Sequence, residues 1–314
     1  MKTLLKTTYH RKHLFLCFFL SFFVLSSGCT TVPSSSKNWS RKVLKKLSLR
    51  EKIAQMMIYR MHLKYKDVTP EKWDEITMLV GGDGIGGIHL WSGDGSSSIA
   101  IMNEIQKRSK VPIIFDADIE RGFGQRFPSG TDFPPMMAIT ATGNPKNAYQ
   151  VGKIVALESR AAGIHWNLSP VVDVNNNPLN PIINTRSFGD NPDIVSEFAL
   201  EYTKGLQDHG MIATAKHFPG HGDTQTDSHS SLAMIPSDSS RLWSLELKPF
   251  RAMAEAGIDV VMVAHVHAPD YQPEAEEPAT LSRFWVTDIL REELGFDGAI
   301  ITDAMGMGGI TKNY

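Results

Sequence analysis

Residues Ala215 to Leu232, AKHFPGHGDTQTDSHSSL, carry three histidines and two aspartates on a stretch that glycines and a proline bend sharply. Two kinds of chemistry suit such a set. In one, His217, His221 and His229 with Asp223 or Asp227 hold a divalent metal, since imidazole and carboxylate are its usual ligands. Against this, the loop has no helical His-x-x-x-His face, and metal sites in barrels draw their ligands from several strands. In the other, Asp227-Ser228-His229 sets a carboxylate and an imidazole at i and i+2, which point the same way in an extended chain. Asp227 then accepts from one ring nitrogen and aims the other at substrate, an arrangement for general acid/base work. The spacing favours the second reading.

Such groups need a scaffold. Seven apolar, strand-like runs recur along the chain: Gln55–Ile58, Ile85–Leu90, Val111–Phe115, Ile164–Leu168, Ile212–Ala215, Val260–Ala264 and Ala299–Thr302. Helical signals fall between them. Ser48 and Glu51 form a capping box, and Asn144-Pro145 and Asn191-Pro192 each put an N-cap before a first-turn proline. Gly163 and Gly210 stop the helices that follow those prolines. Buried strands alternating with helices predict an α/β fold with a parallel sheet. The glycines Gly82, Gly84 and Gly87 match G-x-G-x-x-G but lead into a strand, the reverse of the dinucleotide-binding order. In an α/β barrel the site lies at the C-terminal strand ends. There stand Asp118, Asp173, Lys216-His217, His265 and His267, and Asp303. Seven runs are one short of eight, so the expected fold is a TIM-type (β/α)8 barrel lacking its last strand and closing helices.

The net charge of −2 gives no reason to expect a nucleic-acid partner. The one dense basic stretch lies within residues 1–13 and is followed by an apolar run, Leu14 to Leu25, then Ser26, Ser27, Gly28 and Cys29. This is the order of a secretory signal, and its apolar core is shorter than the roughly 20 residues of a membrane span. Residues 1–28 therefore read as a signal peptide of lipoprotein type. Cys29 is then the lipidated residue, residues 29–38 a polar linker, and residues 39–314 the catalytic barrel. The pattern resembles a bacterial lipobox, with Ser26 where leucine is usual. The location implied is the bacterial cell envelope, with the lipid as membrane anchor. The only other cysteine, Cys17, would leave with the signal, so thiol chemistry is excluded from the mature domain.

The segment K-H-F-P-G-H-G followed by D-S-H resembles glycoside hydrolase family 3, in its β-N-acetylglucosaminidase branch. The likeness includes LSLREKIAQM, DIERGFGQRF, LSPVVDV, NTRSFGDNP and ITDAMGM, in order, between Leu47 and Met307. It implies that Asp303 is the nucleophile and His229 the general acid/base oriented by Asp227. Asp118, Arg126, Arg186, Lys216 and His217 would hold sugar hydroxyls and the N-acetyl group, with Met307 beside the nucleophile. No cofactor or metal is implied, and the partner is an amino-sugar oligosaccharide. A retaining glycosidase needs an ionised nucleophile below the anomeric carbon and a proton donor at the leaving oxygen. Lys216 and Arg186 are expected beside Asp303, holding it as a carboxylate. Departures from the family pattern are Arg121 and Phe123 in the DIERGFG segment and Ala304 after the nucleophile. A non-catalytic amino-sugar binder, a β-glucosidase and a phosphorylase remain alternatives. Weaker candidates are His89, Trp91 and Trp166 as stacking groups, Asp173 and Asn175–Asn177 as cleft residues, and His265 and His267 on the aglycone side.

Overall fold

The computed structural model describes residues 34–314 except 237, 273–276 and 313. The expected signal segment and Cys29 lie outside the described residues. Residues up to Leu47 and those from Ser48 onward form two separate units. The first contributes a helix, Ser34–Lys46, which takes up the end of the expected linker and closes on Lys45 and Lys46. Cations suit the last turn of a helix, where the dipole is negative. Among the described residues no helix is long and apolar enough to cross a membrane.

The second unit holds the sheet. Its strands are β1 (Ile58–Leu63), β2 (Gly87–Gly93), β3 (Ile114–Ala117), β4 (Trp166–Asn167) and β5 (Ile212–Phe218), then β6 (Ala233–Met234), β7 (Val260–Val263), β8 (Val266–His267) and β9 (Ala299–Thr302). Seven of them form one sheet in the order β1-β2-β3-β4-β5-β7-β9, and β6 and β8 form a two-stranded ribbon. The pairings along the large sheet are parallel. Each strand of the large sheet therefore pairs with the next strand of that sheet along the chain, β6 and β8 lying in the intervening connections, which is the winding of a TIM-type barrel. β1 and β9 are its two edges among the described residues.

The helix starts follow the caps. Ser48 and Glu51 make a reciprocal capping box on helix Leu49–Ala54. Asn144 caps Pro145–Ala161, and Asn191 caps Pro192–Gln207 with bonds to the Asp193 and Ile194 N–H groups. Such caps stabilise a helix by about 1 kcal/mol each.

Strand limits shift from those expected. The run Gln55–Ile58 is not the first strand: Gln55 caps the preceding helix, and β1 begins at Ile58. Met61 and Leu63 are buried while Arg60 and His62 are exposed. A strand with one polar face carries no continuous apolar run, so its hydrophobic signal is weak. β2 starts at Gly87 and runs past the expected end through Trp91 and Ser92 to Gly93, and β3 starts at Ile114 and runs through the polar Asp116 to Ala117. β4 covers only Trp166–Asn167 of the expected Ile164–Leu168. β5 extends past Ala215 through Lys216 and His217, β7 ends at Val263 rather than Ala264, and β9 has its expected limits.

Under the loop that leaves β5, Phe218 packs edge-on to Phe250 and Trp285, with ring centroids 5.3 and 6.2 Å away. Edge-on aromatic pairs add about 0.5–1.5 kcal/mol beyond their buried area. The histidine-rich loop is thereby rooted in the core.

Candidate active site

At the C-terminal ends of the strands lies a cavity of about 770 Å³, lined by Asp118, Arg126, Arg186, Lys216, His217, His229, Asp303 and Met307 among others. Eight of the nine residues expected at the site therefore line one space. The ninth, Asp227, binds His229 from outside it: the imidazole Nδ1 lies 2.7 Å from Asp227 Oδ1, which also accepts the His229 backbone N–H at 2.9 Å. This leaves His229 Nε2 with no hydrogen bond to the described residues. Burial works against ionisation of Asp227, but the backbone and imidazole N–H groups of His229 outweigh it and hold the carboxyl below its usual range.

The floor of the cavity is an ion-pair network. Lys216 Nζ lies 2.6 Å from Asp118 and 2.8 Å from Glu120. Arg186 grips both Glu120 oxygens, at 3.0 and 2.7 Å. Burial alone would raise the Asp118 pKa, yet the charges of Lys216 and His89 draw it down to about 2. Glu120 is held well below the usual carboxylate range against the same burial, by Lys216 and Arg186. Burial also opposes the Lys216 charge, and the two carboxylates overcome it and raise its pKa. The floor is fully ionised, with its donors and acceptors fixed by the fold.

Among the described residues neither Lys216 nor Arg186 forms an ion pair with Asp303, contrary to expectation; their charges are paired with Asp118 and Glu120. Glu120, inside DIERGFGQRF but given no role by sequence reasoning, is the centre of the network. The only signal for it was a carboxylate two residues after Asp118, and its partners lie 66 and 96 positions away.

Asp173 lies behind the wall and not on it. It is fully buried and accepts from the His217 backbone and Nδ1 and from the His221 backbone N–H at 2.6 Å. Asn175 and Asn177 brace loops: Asn175 accepts from Asn184 N–H, and Asn177 donates to the Asp223 carbonyl. His221 is enclosed between the Thr224 hydroxyl on Nδ1 and the Ser228 hydroxyl on Nε2. Burial pushes its pKa down to about 4, so it is neutral. With both ring nitrogens occupied, His221 does not fit the metal-ligand alternative.

The expected stacking groups divide. His89 lies on the cavity but binds Asp116 at 2.6 Å, and Trp91 lines it beneath the guanidinium groups of Arg60 and Arg126 at 4.2 and 4.4 Å. Arg126 also donates from Nε to the Asp118 carbonyl. Trp166 donates to Thr214 Oγ1 and is a packing residue. His265 and His267 are buried, and His265 Nε2 meets the Ala304 carbonyl at 3.0 Å, so it braces the turn after Asp303 instead of facing an aglycone. Arg121, one departure from the family pattern, lines the cavity and lies 3.4 Å from Asp132.

Asp303 sits at the end of β9, its N–H bonded to the Val263 carbonyl and its Oδ1 accepting the Ala304 N–H at 2.7 Å. One carboxylate and one exposed imidazole, on different segments but facing one cavity, can serve displacement at a carbon with proton transfer to the departing oxygen.

Comparison with known proteins agrees with this chemistry. Residues 48–314 match the family model described as glycosyl hydrolase family 3 N terminal domain. A β-N-acetylglucosaminidase/β-glucosidase of Cellulomonas fimi is 31% identical over 283 residues, covering 87% of this chain and 49% of that protein. The chain thus spans about half the length of that relative. Among solved structures, a family 3 β-N-acetylglucosaminidase from Paenibacillus sp. str. FPU-7 aligns with a TM-score of 0.79 at 38% identity, over 85% of this chain and 51% of that one. A β-glucoside phosphorylase aligns with a TM-score of 0.82 at 26% identity, over 90% and 51%.

Proposed function

The chain belongs to glycosyl hydrolase family 3, and on that footing we propose that it is a retaining β-N-acetylhexosaminidase releasing terminal β-linked N-acetylglucosamine from peptidoglycan- or chitin-type fragments. One observation carries the reading: Asp303 and the Asp227-bound His229 face the same cavity above an ionised floor. In the first step the Asp303 carboxylate bonds to the anomeric carbon while the His229 proton passes to the departing glycosidic oxygen. In the second, neutral His229 takes a proton from water, the water oxygen bonds to the anomeric carbon, and Asp303 leaves as carboxylate. Asp118 and Glu120 accept from sugar hydroxyls, and Lys216, Arg186 and Arg126 donate to sugar oxygens.

The test is release of p-nitrophenol from its N-acetyl-β-glucosaminide in the presence of chelator. Turnover that survives chelator and is lost in Asp303→Asn, on the order of 10⁴-fold or more, supports the reading. Sugar binding without turnover would instead make the protein a binder, and loss with chelator would point to a metal hydrolase. The likeness to a phosphorylase and the neutral acid/base favour a second acceptor, since an uncharged imidazole does not repel an anionic attacker. Appearance of sugar 1-phosphate when phosphate is added would establish it.

We also propose that Cys29 carries lipid and holds the enzyme at the cell envelope. The basic, apolar and small-residue order ahead of it supports this. Radiolabelled palmitate should enter the wild-type protein and not Cys29→Ser; equal labelling of both would refute it.

A further inference from the structure

The acid/base loop and the turn after the nucleophile meet, and the contact is made of backbone. Beyond Asp303 the chain turns and starts a short helix, Gly308–Thr311. The first N–H groups of a helix have no carbonyl within it to bond. Here two of them bond the acid/base loop: Gly308 N–H donates to the His229 carbonyl at 2.9 Å, and Gly309 N–H to the Ser228 carbonyl at 3.1 Å. Only residues without side chains allow this approach. A Cβ on Gly308 would come within 3.0 Å of the His229 oxygen and closer still to that of Ser230, and a Cβ on Gly309 would lie 3.0 Å from the His265 Cβ. Gly306, in the same turn, has open space around it.

Both sides of the contact are held. The Ser228 hydroxyl binds the buried His221, whose N–H is fixed by Asp173. On the other side His265 holds the Ala304 carbonyl, and Val263 holds the Asp303 N–H. The His229 ring is exposed, and its side-chain bond is to Asp227 in its own loop. Nothing in that dyad fixes its distance from Asp303, whereas the Gly308 and Gly309 bonds join its loop directly to the turn after Asp303.

We propose that the Gly308–Gly309 pair is a positioning device that sets His229 against Asp303 by tying the acid/base loop to the nucleophile's turn. The inference rests on the roles given above to those two residues. A displaced His229 fails to protonate a poor leaving group and fails to deprotonate water, while attack by Asp303 is untouched. The loss must therefore depend on the leaving group.

The experiment compares Gly308→Ala with Gly306→Ala on two substrates. One is N,N′-diacetylchitobiose, whose sugar hydroxyl must be protonated to leave. The other is 2,4-dinitrophenyl N-acetyl-β-glucosaminide, whose leaving group departs without a proton. For Gly308→Ala, kcat/KM on the disaccharide should fall about 10²-fold, the scale of a 1 Å misplacement, and change little on the aryl substrate. The variant's kcat on the aryl substrate, set by base-assisted attack of water on the intermediate, should fall, and azide, which attacks without a base, should restore it. Gly306→Ala should match wild type on both. Equal losses of kcat/KM on the two substrates, or none on either, would overturn the proposal. Hydrogen exchange tests the tie apart from catalysis: residues 226–231 and 308–309 should exchange faster together in Gly308→Ala and not in Gly306→Ala. If wild type turns over neither substrate, the enzymatic reading fails, and unchanged exchange in Gly308→Ala would sink the tie itself.

Discussion

The floor of the cavity and its rim are built in opposite ways. On the floor, Lys216 is 2% exposed and Glu120 9%, and every charge has a bonded counter-charge. On the rim, His229 is 55% exposed and Asp227 38%, and the pair is contained in one loop. The floor is part of the fold, because leaving any of its charges unpaired in a buried place is costly. The rim is far less buried, and the His229 ring, which on the proposed function carries the proton, is open to solvent. On the proposed function, burial preorganises the groups that bind and exposure serves the group that transfers a proton.

The sharpest way to break that contrast is at His229. In His229→Gln, kcat on the disaccharide should fall by about 10²–10⁴-fold, the usual contribution of general acid/base catalysis. The urea midpoint should not move. A clear fall in the midpoint would show that the rim is structural after all.

Lys216→Met tests the other half. Removing one partner of a buried pair costs about 3–5 kcal/mol, because the remaining charges are left uncompensated. Asp118 and Glu120 would then face each other without their shared cation, so unfolding free energy should fall on this scale and KM should rise. A loss within about 1 kcal/mol, the range of surface pairs, would mean the floor is not the sealed network described.

What could be read from the sequence divides along the same line. The rim was legible because it is local: Asp227 and His229 are two residues apart, and their bond follows from that spacing. The helix caps at Ser48, Asn144 and Asn191 were legible for the same reason. The floor was legible only as separate residues at strand ends. Spacing cannot show that Lys216 serves Asp118 and Glu120 rather than Asp303, since the partners come together only when the sheet curls. β1 is hard to place because its exposed Arg60 and His62 break the apolar pattern on which strand recognition depends. His265 resembled a cleft histidine in sequence, and only burial shows that it supports Ala304 instead.

His221 joins the two regions, and its titration gives the smallest of the three effects. Its ring is sealed between the Ser228 and Thr224 hydroxyls in the loop that carries Asp227 and His229, and burial brings its pKa to about 4. In the unfolded chain an imidazole has its ordinary value of about 6.5. Between those values the unfolded state takes up a proton that the folded state refuses, so stability falls as pH drops from about 6.5 to 4, by about 3 kcal/mol in all. Asp118, drawn down to about 2, loses its contribution only at lower pH, between roughly 4 and 2, so the windows barely overlap. His89, whose pKa is raised through Asp116 despite burial, acts in the opposite sense: its contribution is present at low pH and fades as pH rises. Subtracting a variant isolates the His221 share. Urea unfolding of wild type and His221→Gln from pH 7 to 4.5 should show a smaller loss of stability in the variant. Parallel curves would mean that His221 gains its proton freely in the folded protein, and that the loop beneath His229 is open to water rather than anchored in the buried half of the site.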